Sequence, residues 1–206
     1  MYARSTTIRG LTAAVDAGIA YMREEALPAV QQMPGCVGLS LLVDRDTGRS
    51  IATSAWRDEE AMHASAALVH PMRNQLVAAF GAEIEVHEWE IAVLHRAHAM
   101  HDRGAARLTW VRVDDGQMDR FLEAYREVLV PRLEELPNFC SLSLLADRAN
   151  DRAVSTVTFH SRVALEAVRD RARMMRDEFT RSVGARVLDV AETDVVLSHL
   201  RVPELV

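Results

Sequence analysis

The chain has 206 residues, 49% of them hydrophobic and 26% charged, with a net charge of −6. That balance excludes a disordered chain, and the acidic sign argues against non-specific binding to nucleic acid. No apolar run approaches the roughly 18 residues of a membrane-spanning helix, so no membrane partner is expected.

Tyr2 to Arg9, rich in Thr, Ile and Tyr, predicts a strand. Ala13 to Met33 predicts a helix, with Val15, Ile19, Met22, Ala26 and Val30 recurring at spacings of three and four on one buried stripe. Pro28 lies inside that pattern and is expected to kink it, because it lacks a backbone donor. Pro34-Gly35 ends the helix. Cys36 to Val43 and Ser50 to Trp56 read as two strands of a hairpin, with Gly48 free to take positive φ in the turn. Asp58 is a good N-cap for a second helix. Pro71 is expected to interrupt that helix and Gly81 to stop it. Glu83 to Leu94 is a long fourth strand.

The same order then returns. Arg4-Ser5-Thr6-Thr7-Ile8-Arg9 falls on Arg107-Leu108-Thr109-Trp110-Val111-Arg112, an offset of 107 − 4 = 103. At that offset Arg23-Glu24 meets Arg126-Glu127, Pro28 meets Pro131, and Leu39-Ser40-Leu41-Leu42 meets Leu142-Ser143-Leu144-Leu145. Near the end one residue is inserted, since Val86 and Glu88 match Val190 and Glu192. Repeats of about one hundred residues are compact domains rather than solenoid units. The strands Ala106–Val113, Phe139–Ala146, Ala153–Phe159 and Arg186–Leu200 and the helices Gln117–Leu136 and Arg162–Val183 complete the second copy. Strand-helix-strand-strand-helix-strand is the split βαβ, or ferredoxin-like, unit. The expected fold is therefore α+β, with domains 1–102 and 103–206 and the two sheets covering each other.

Cys36 and Cys140 occupy non-equivalent positions one residue out of step, so they face opposite ways and are expected to be unpaired apolar side chains. That agrees with a reducing compartment. The opening residues also lack the apolar core of a signal peptide, and the expected location is cytoplasmic.

Tyr2-Ala3-Arg4, Arg23-Glu24-Glu25-Ala26-Leu27-Pro28, Pro34-Gly35, Leu39-Ser40-Leu41-Leu42-Val43-Asp44 and Trp56 with Glu59-Glu60-Ala61 resemble the antibiotic biosynthesis monooxygenase superfamily. The resemblance covers almost the whole chain, once per repeat. It implies a dimeric α+β barrel, here an intramolecular pseudo-dimer, with a further homodimer left open. It also implies cofactor-free oxygenation of a phenolic or polycyclic molecule. Alternatives are a non-catalytic ligand-binding or scaffold role and, further off, haem binding or degradation. The superfamily's pocket carries an Asn on the first strand, a Trp ending the third and a His on the second helix. Trp56 matches the Trp; the first strand offers Ser5 and Thr6 in place of Asn; the helix offers His63 and His70 on one face.

On this reading the catalytic candidates are His63 and His70, as general bases near neutral pH. Trp56, Ser5, Thr6 and Met62 are the substrate-binding candidates, in an apolar pocket of the first repeat. Trp56 reads equally as core, and the two histidines as exposed surface. His95, His98 and His101, with Asp102, admit a metal site only weakly, so no metal and no cofactor is expected. Glu88 and Glu90 share a strand face. Arg169, Arg171, Arg173 and Arg176 form a basic run that reads as solvated surface, with an anionic ligand as the sharper alternative.

Overall fold

The computed structural model of the protein describes residues 1–80, 82–98 and 104–200. Gly81, His101, Asp102 and the expected domain boundary at 102/103 lie outside the described residues. The strands are β1 (Tyr2–Arg9), β2 (Cys36–Asp44), β3 (Arg49–Trp56), β4 (Glu83–Arg96), β5 (Ala105–Val113), β6 (Phe139–Asp147), β7 (Arg152–Phe159) and β8 (Ala185–Leu200). The helices are α1 (Val15–Tyr21), α2 (Leu27–Gln31), α3 (Glu59–Ala64), α4 (Ala66–Phe80), α5 (Met118–Ala124), α6 (Val130–Glu134), α7 (Arg162–Ala167) and α8 (Arg169–Ser182).

In the first repeat β3 pairs with β1 and β2, and β1 also pairs with β4, all antiparallel. In the second, β7 pairs with β5 and β6, and β5 with β8. This is the ferredoxin-like arrangement twice over. In hydrogen-bonding order the strands run β2-β3-β1-β4 in the first repeat and β6-β7-β5-β8 in the second. By packing, one unit holds Met1–Glu90 with the end of β8 from Val195, and the other holds Ile91–Asp194.

Each long helix of the first half of a repeat contains one π turn. It spans Met22–Ala26 between α1 and α2, and Tyr125–Leu129 between α5 and α6. The amide of Leu27 reaches the carbonyl of Met22, and that of Val130 reaches Tyr125. Pro28 and Pro131 follow directly. A wider turn relieves the clash between a proline ring and the carbonyl four residues back, so the expected kink takes the form of a π turn.

Pro71 does not interrupt the second helix; α4 runs through it. The break falls at Ser65, whose carbonyl accepts from the amides of Leu68 and Val69 at 3.1 and 3.0 Å. In the second repeat the break falls at the equivalent Val168, between α7 and α8, with no proline nearby. The break therefore belongs to the repeat, not to the proline.

The inserted residue is Leu188. The register is regular along β1 and β4, whereas β8 passes from Val187 opposite Val111 to Asp189 opposite Trp110. One extra residue on one strand is a β-bulge. Two equivalent turns take left-handed backbone in both repeats. Gly35 and Gly48 provide it in the first repeat, at φ 78 and 72, and Asn138 and Asp151 in the second, at φ 62 and 52. Asn and Asp are the side chains that tolerate this region best after glycine.

The stripe Val15, Ile19, Met22, Ala26 and Val30 is buried as expected, against Leu39, Leu41, Val43 and Trp56. In the second unit Phe121, Tyr125, Leu129 and Leu133 pack on Leu142, Leu144, Phe159 and Phe179.

Candidate functional site

The second unit contains a cavity of about 320 Å³ between its sheet and helices. Strand β5 presents Arg107, Thr109 and Val111 to it; alternate residues of a strand share a face. The helix containing the π turn adds Phe121, Tyr125 and Leu129. Helix α8 adds Arg169, Ala172, Arg173, Arg176, Phe179 and Thr180, spaced by three and four along one helix face. Val190 and Glu192 come from β8.

The apolar wall is aromatic. Phe121, Tyr125 and Phe179 lie with ring centroids 5.7 to 6.2 Å apart, in tilted and edge-on arrangements that suit ring quadrupoles. The Tyr125 hydroxyl shares a 2.6 Å hydrogen bond with Ser155 Oγ. Burial pushes its phenol well above the ordinary tyrosine value, only partly offset by Ser155. Tyr125 is therefore a neutral hydrogen-bonding group, not a base.

The polar wall is cationic. Arg107 is nine-tenths buried; its Nε and Nη2 donate to Glu192 Oε1 at 3.1 and 2.7 Å. Arg169 donates to both oxygens of Glu192, at 3.2 and 2.6 Å. Burial alone would raise the Glu192 carboxyl, but the hydrogen bonds from Arg169 and Arg107 hold it below the usual carboxylate range. Arg176 donates to Asp177 at 2.6 Å. Of the basic run in α8, Arg169, Arg173 and Arg176 face the cavity, while Arg171 is turned toward Glu135 at 3.6 Å.

The first unit has a counterpart of this cavity with about 50 Å³ of free volume, room for a few waters at about 10–15 Å³ each. Its lining repeats the larger one at an offset of 103: Arg4 for Arg107, Thr6 for Thr109, Met22 for Tyr125, Ala52 for Ser155, Arg73 for Arg176 and Leu76 for Phe179. Tyr21 and Val69 stand where the second unit has the smaller Ala124 and Ala172. The Tyr21 hydroxyl also ties α1 to α4 through Gln75 at 2.7 Å.

The first-repeat candidates do not meet around a substrate-sized space. Trp56 is fully buried, with Nε1 donating to Ser54 Oγ at 3.0 Å. Ser5 Oγ accepts from Trp89 Nε1 at 2.8 Å, and Thr6 lines the small cavity. Met62 is buried, its carbonyl accepting from Arg4 Nη2 at 2.8 Å and Ser65 Oγ at 2.7 Å. His63 is exposed and pairs with Glu88 at 3.0 Å, while His70 is exposed on α4. The feature that joins these elements is Arg4, which is buried and donates to Glu88, Ser65 and Met62. Glu88 is thereby held in ion pairs rather than left free for acid–base work.

His95 pairs with Glu134, and the His98 ring stacks on His160 with centroids 6.2 Å apart. Among the described residues no three metal-ligating side chains gather.

Residues 4–70 match the family model for antibiotic biosynthesis monooxygenase. The fold agrees over nearly the full length with a protein from Lactobacillus acidophilus NCFM provisionally named a monooxygenase, at TM-score 0.70, 14% identity and 97% and 96% coverage of the two chains. The first repeat belongs to the antibiotic biosynthesis monooxygenase superfamily.

Over its full length the chain is 50% identical over 207 residues to the uncharacterized protein Rv2558 of Mycobacterium tuberculosis, covering all of this chain and 88% of the relative. A second protein of that organism, Rv2557, is 48% identical over 206 residues, covering all of this chain and 92% of the relative. A solved anthrone oxidase-like protein shares the fold at TM-score 0.64 and 18% identity, with 100% and 95% coverage. At such identities these structural likenesses concern fold alone.

Sequence reading missed Tyr125, Ser155, Phe121 and Glu192 as cavity residues. The one legible signal was the arginine run at helical spacing after Val168.

Proposed function

We propose that the protein binds a small, largely apolar phenolic or polycyclic molecule in the cavity of the second unit. The observation that carries this reading is the cavity itself, whose volume of about 320 Å³ lies in the range of small-molecule sites. Three aromatic rings favour a planar, ring-containing ligand. Titration calorimetry with anthrone and polycyclic phenols tests it. Ala172→Trp, placed on the lining of the cavity, is expected to abolish binding. The first-repeat variants Trp56→Phe and His63→Ala are expected to leave it intact. The opposite pattern moves the ligand to the first repeat.

Cofactor-free oxygenation is the second reading, supported by the superfamily and by the arginines around the cavity. An acidic ring substrate ionises more readily beside guanidinium groups, and its anion can donate an electron to oxygen. A ring methylene then becomes a carbonyl: one oxygen atom stays on carbon, and the other leaves with two hydrogens as water. Among the described residues no histidine lines the cavity, and Glu192 is held by two arginines, so the substrate must be acidic in its own right. Oxygen uptake equal to ring oxidation supports turnover; binding without uptake leaves the protein a binder.

A further inference from the structure

We infer that the ligand of the second-unit cavity carries an oxyanion, a carboxylate or an ionised phenol, that docks on Nη1 of Arg107. This rests on the cavity reading above and names the chemical class the cavity takes.

The argument is a comparison of two equivalent arginines in one chain. In the first unit Arg4 Nη1 donates to Ser65 Oγ at 2.8 Å, while Nε and Nη2 go to Glu88. In the second unit the Nε and Nη2 bonds are reproduced, with Glu192 in the place of Glu88. The third is not. The position equivalent to Ser65 is Val168, which has no polar side-chain atom, and Arg107 Nη1 is buried with no partner. A buried donor left unmade carries the full desolvation cost of that group. Glu192 cannot serve it, because its two oxygens already take four N–H groups from Arg107 and Arg169.

The orphan nitrogen belongs to a side chain that lines the cavity. The surroundings carry the same sign. Four arginines and one carboxylate line the space, so an entering anion meets an excess of positive charge in a partly desolvated site. Where the first unit fills its cavity and supplies a serine, the second keeps its cavity open and supplies a valine. The two differences are complementary: the missing acceptor is replaced by one brought in by the ligand.

Matched probes test this on the intact protein: 9-anthracenecarboxylate, 9-anthracenemethanol and acetate. The carboxylate is expected to bind about tenfold to a hundredfold more tightly than the alcohol, the range of a hydrogen bond to a charged group. Acetate alone is expected to bind weakly, because it lacks the apolar body. Val168→Ser restores the first-unit partner and is expected to bring the carboxylate-to-alcohol ratio close to one while leaving the alcohol's affinity unchanged. Equal binding of carboxylate and alcohol to the unaltered protein overturns the oxyanion inference and leaves the cavity reading standing. Binding of neither ring compound overturns both. An unchanged ratio in a folded Val168→Ser protein overturns the assignment to Arg107 Nη1. Arg107→Gln, which keeps a hydrogen-bonding side chain beside Glu192, is expected to lose the carboxylate preference and supplies the same readout independently.

Discussion

The hydrogen bond between Tyr125 and Ser155 offers a quantitative test of how the cavity is held. Tyr125 is 1% exposed, and its hydroxyl lies 2.6 Å from Ser155 Oγ. Ser155→Ala strands that hydroxyl. An orphaned buried polar group costs about 1–3 kcal/mol. Both side chains line a cavity large enough to admit water, and a water there can replace the lost partner. The expected loss therefore sits at the low end, about 1 kcal/mol. Tyr125→Phe leaves the half-buried Ser155 hydroxyl facing the same space and should cost about 0.5–1.5 kcal/mol.

The double variant removes both polar groups at once. The first unit already contains that solution, with Met22 and Ala52 at the equivalent positions. The double variant should thus be less destabilised than the sum of the singles, by about 1 kcal/mol of coupling. Urea denaturation of all four proteins measures the cycle, and calorimetry reads each 1 kcal/mol as about 2–4 °C in Tm for a chain of this size. Additivity within about 0.3 kcal/mol would refute the claim that the two hydroxyls act as a pair.

Arg4→Leu is expected to cost about 2–4 kcal/mol, because it strips Glu88, Ser65 and Met62 of a buried partner. His63→Ala, at the exposed end of the same chain of contacts, should stay within about 0.5 kcal/mol; equal losses in denaturation would contradict the assignment. The Tyr125 phenol is raised in the folded state, so it supports the fold below the ordinary tyrosine pKa. That support is lost as pH rises beyond it, because the unfolded phenol ionises first. Burial also raises the Tyr21 phenol, so the spectrophotometric titration is read in a Tyr21→Phe background, where the late ionisation arriving with unfolding should vanish on adding Tyr125→Phe; a late step that survives rules out Tyr125 as its source. Gly48→Ala should cost about 2 kcal/mol, since its backbone is left-handed and a Cβ would lie 2.3 Å from the Gly10 carbonyl oxygen. Gly18→Ala, in α1 with nothing within 4 Å of the new atom, should instead gain about 0.5–1 kcal/mol in thermal melts.

The internal repeat made the fold legible because it is written in local patterns. Strand alternation, the helix stripe from Val15 to Val30, the Asp58 cap and the Gly48 turn each depend on residues close in sequence. Asp58 does accept from the Ala61 amide at 2.8 Å. The inserted residue was visible as a change of offset, but only pairing with β5 identified it as Leu188. Pro71 misled because α4 continues through it, while the break is set at a serine in one repeat and a valine in the other.

The site was less legible, for a physical reason. Whether a cavity is open depends on small volume differences between residues far apart in sequence, such as Ala124 and Ala172 against Tyr21 and Val69. Histidine and tryptophan drew attention to the first repeat because their chemistry is conspicuous in isolation. Arginine and aromatic residues became a candidate site only when α8, β5, β8 and the π turn brought them around one space. The sequence by itself determined the duplicated ferredoxin-like fold, since hydrophobic period and turn chemistry are local. Only the tertiary structure decided which copy kept room for a ligand, because free volume and an unpartnered Arg107 nitrogen are properties of packed neighbours and not of any single stretch of chain.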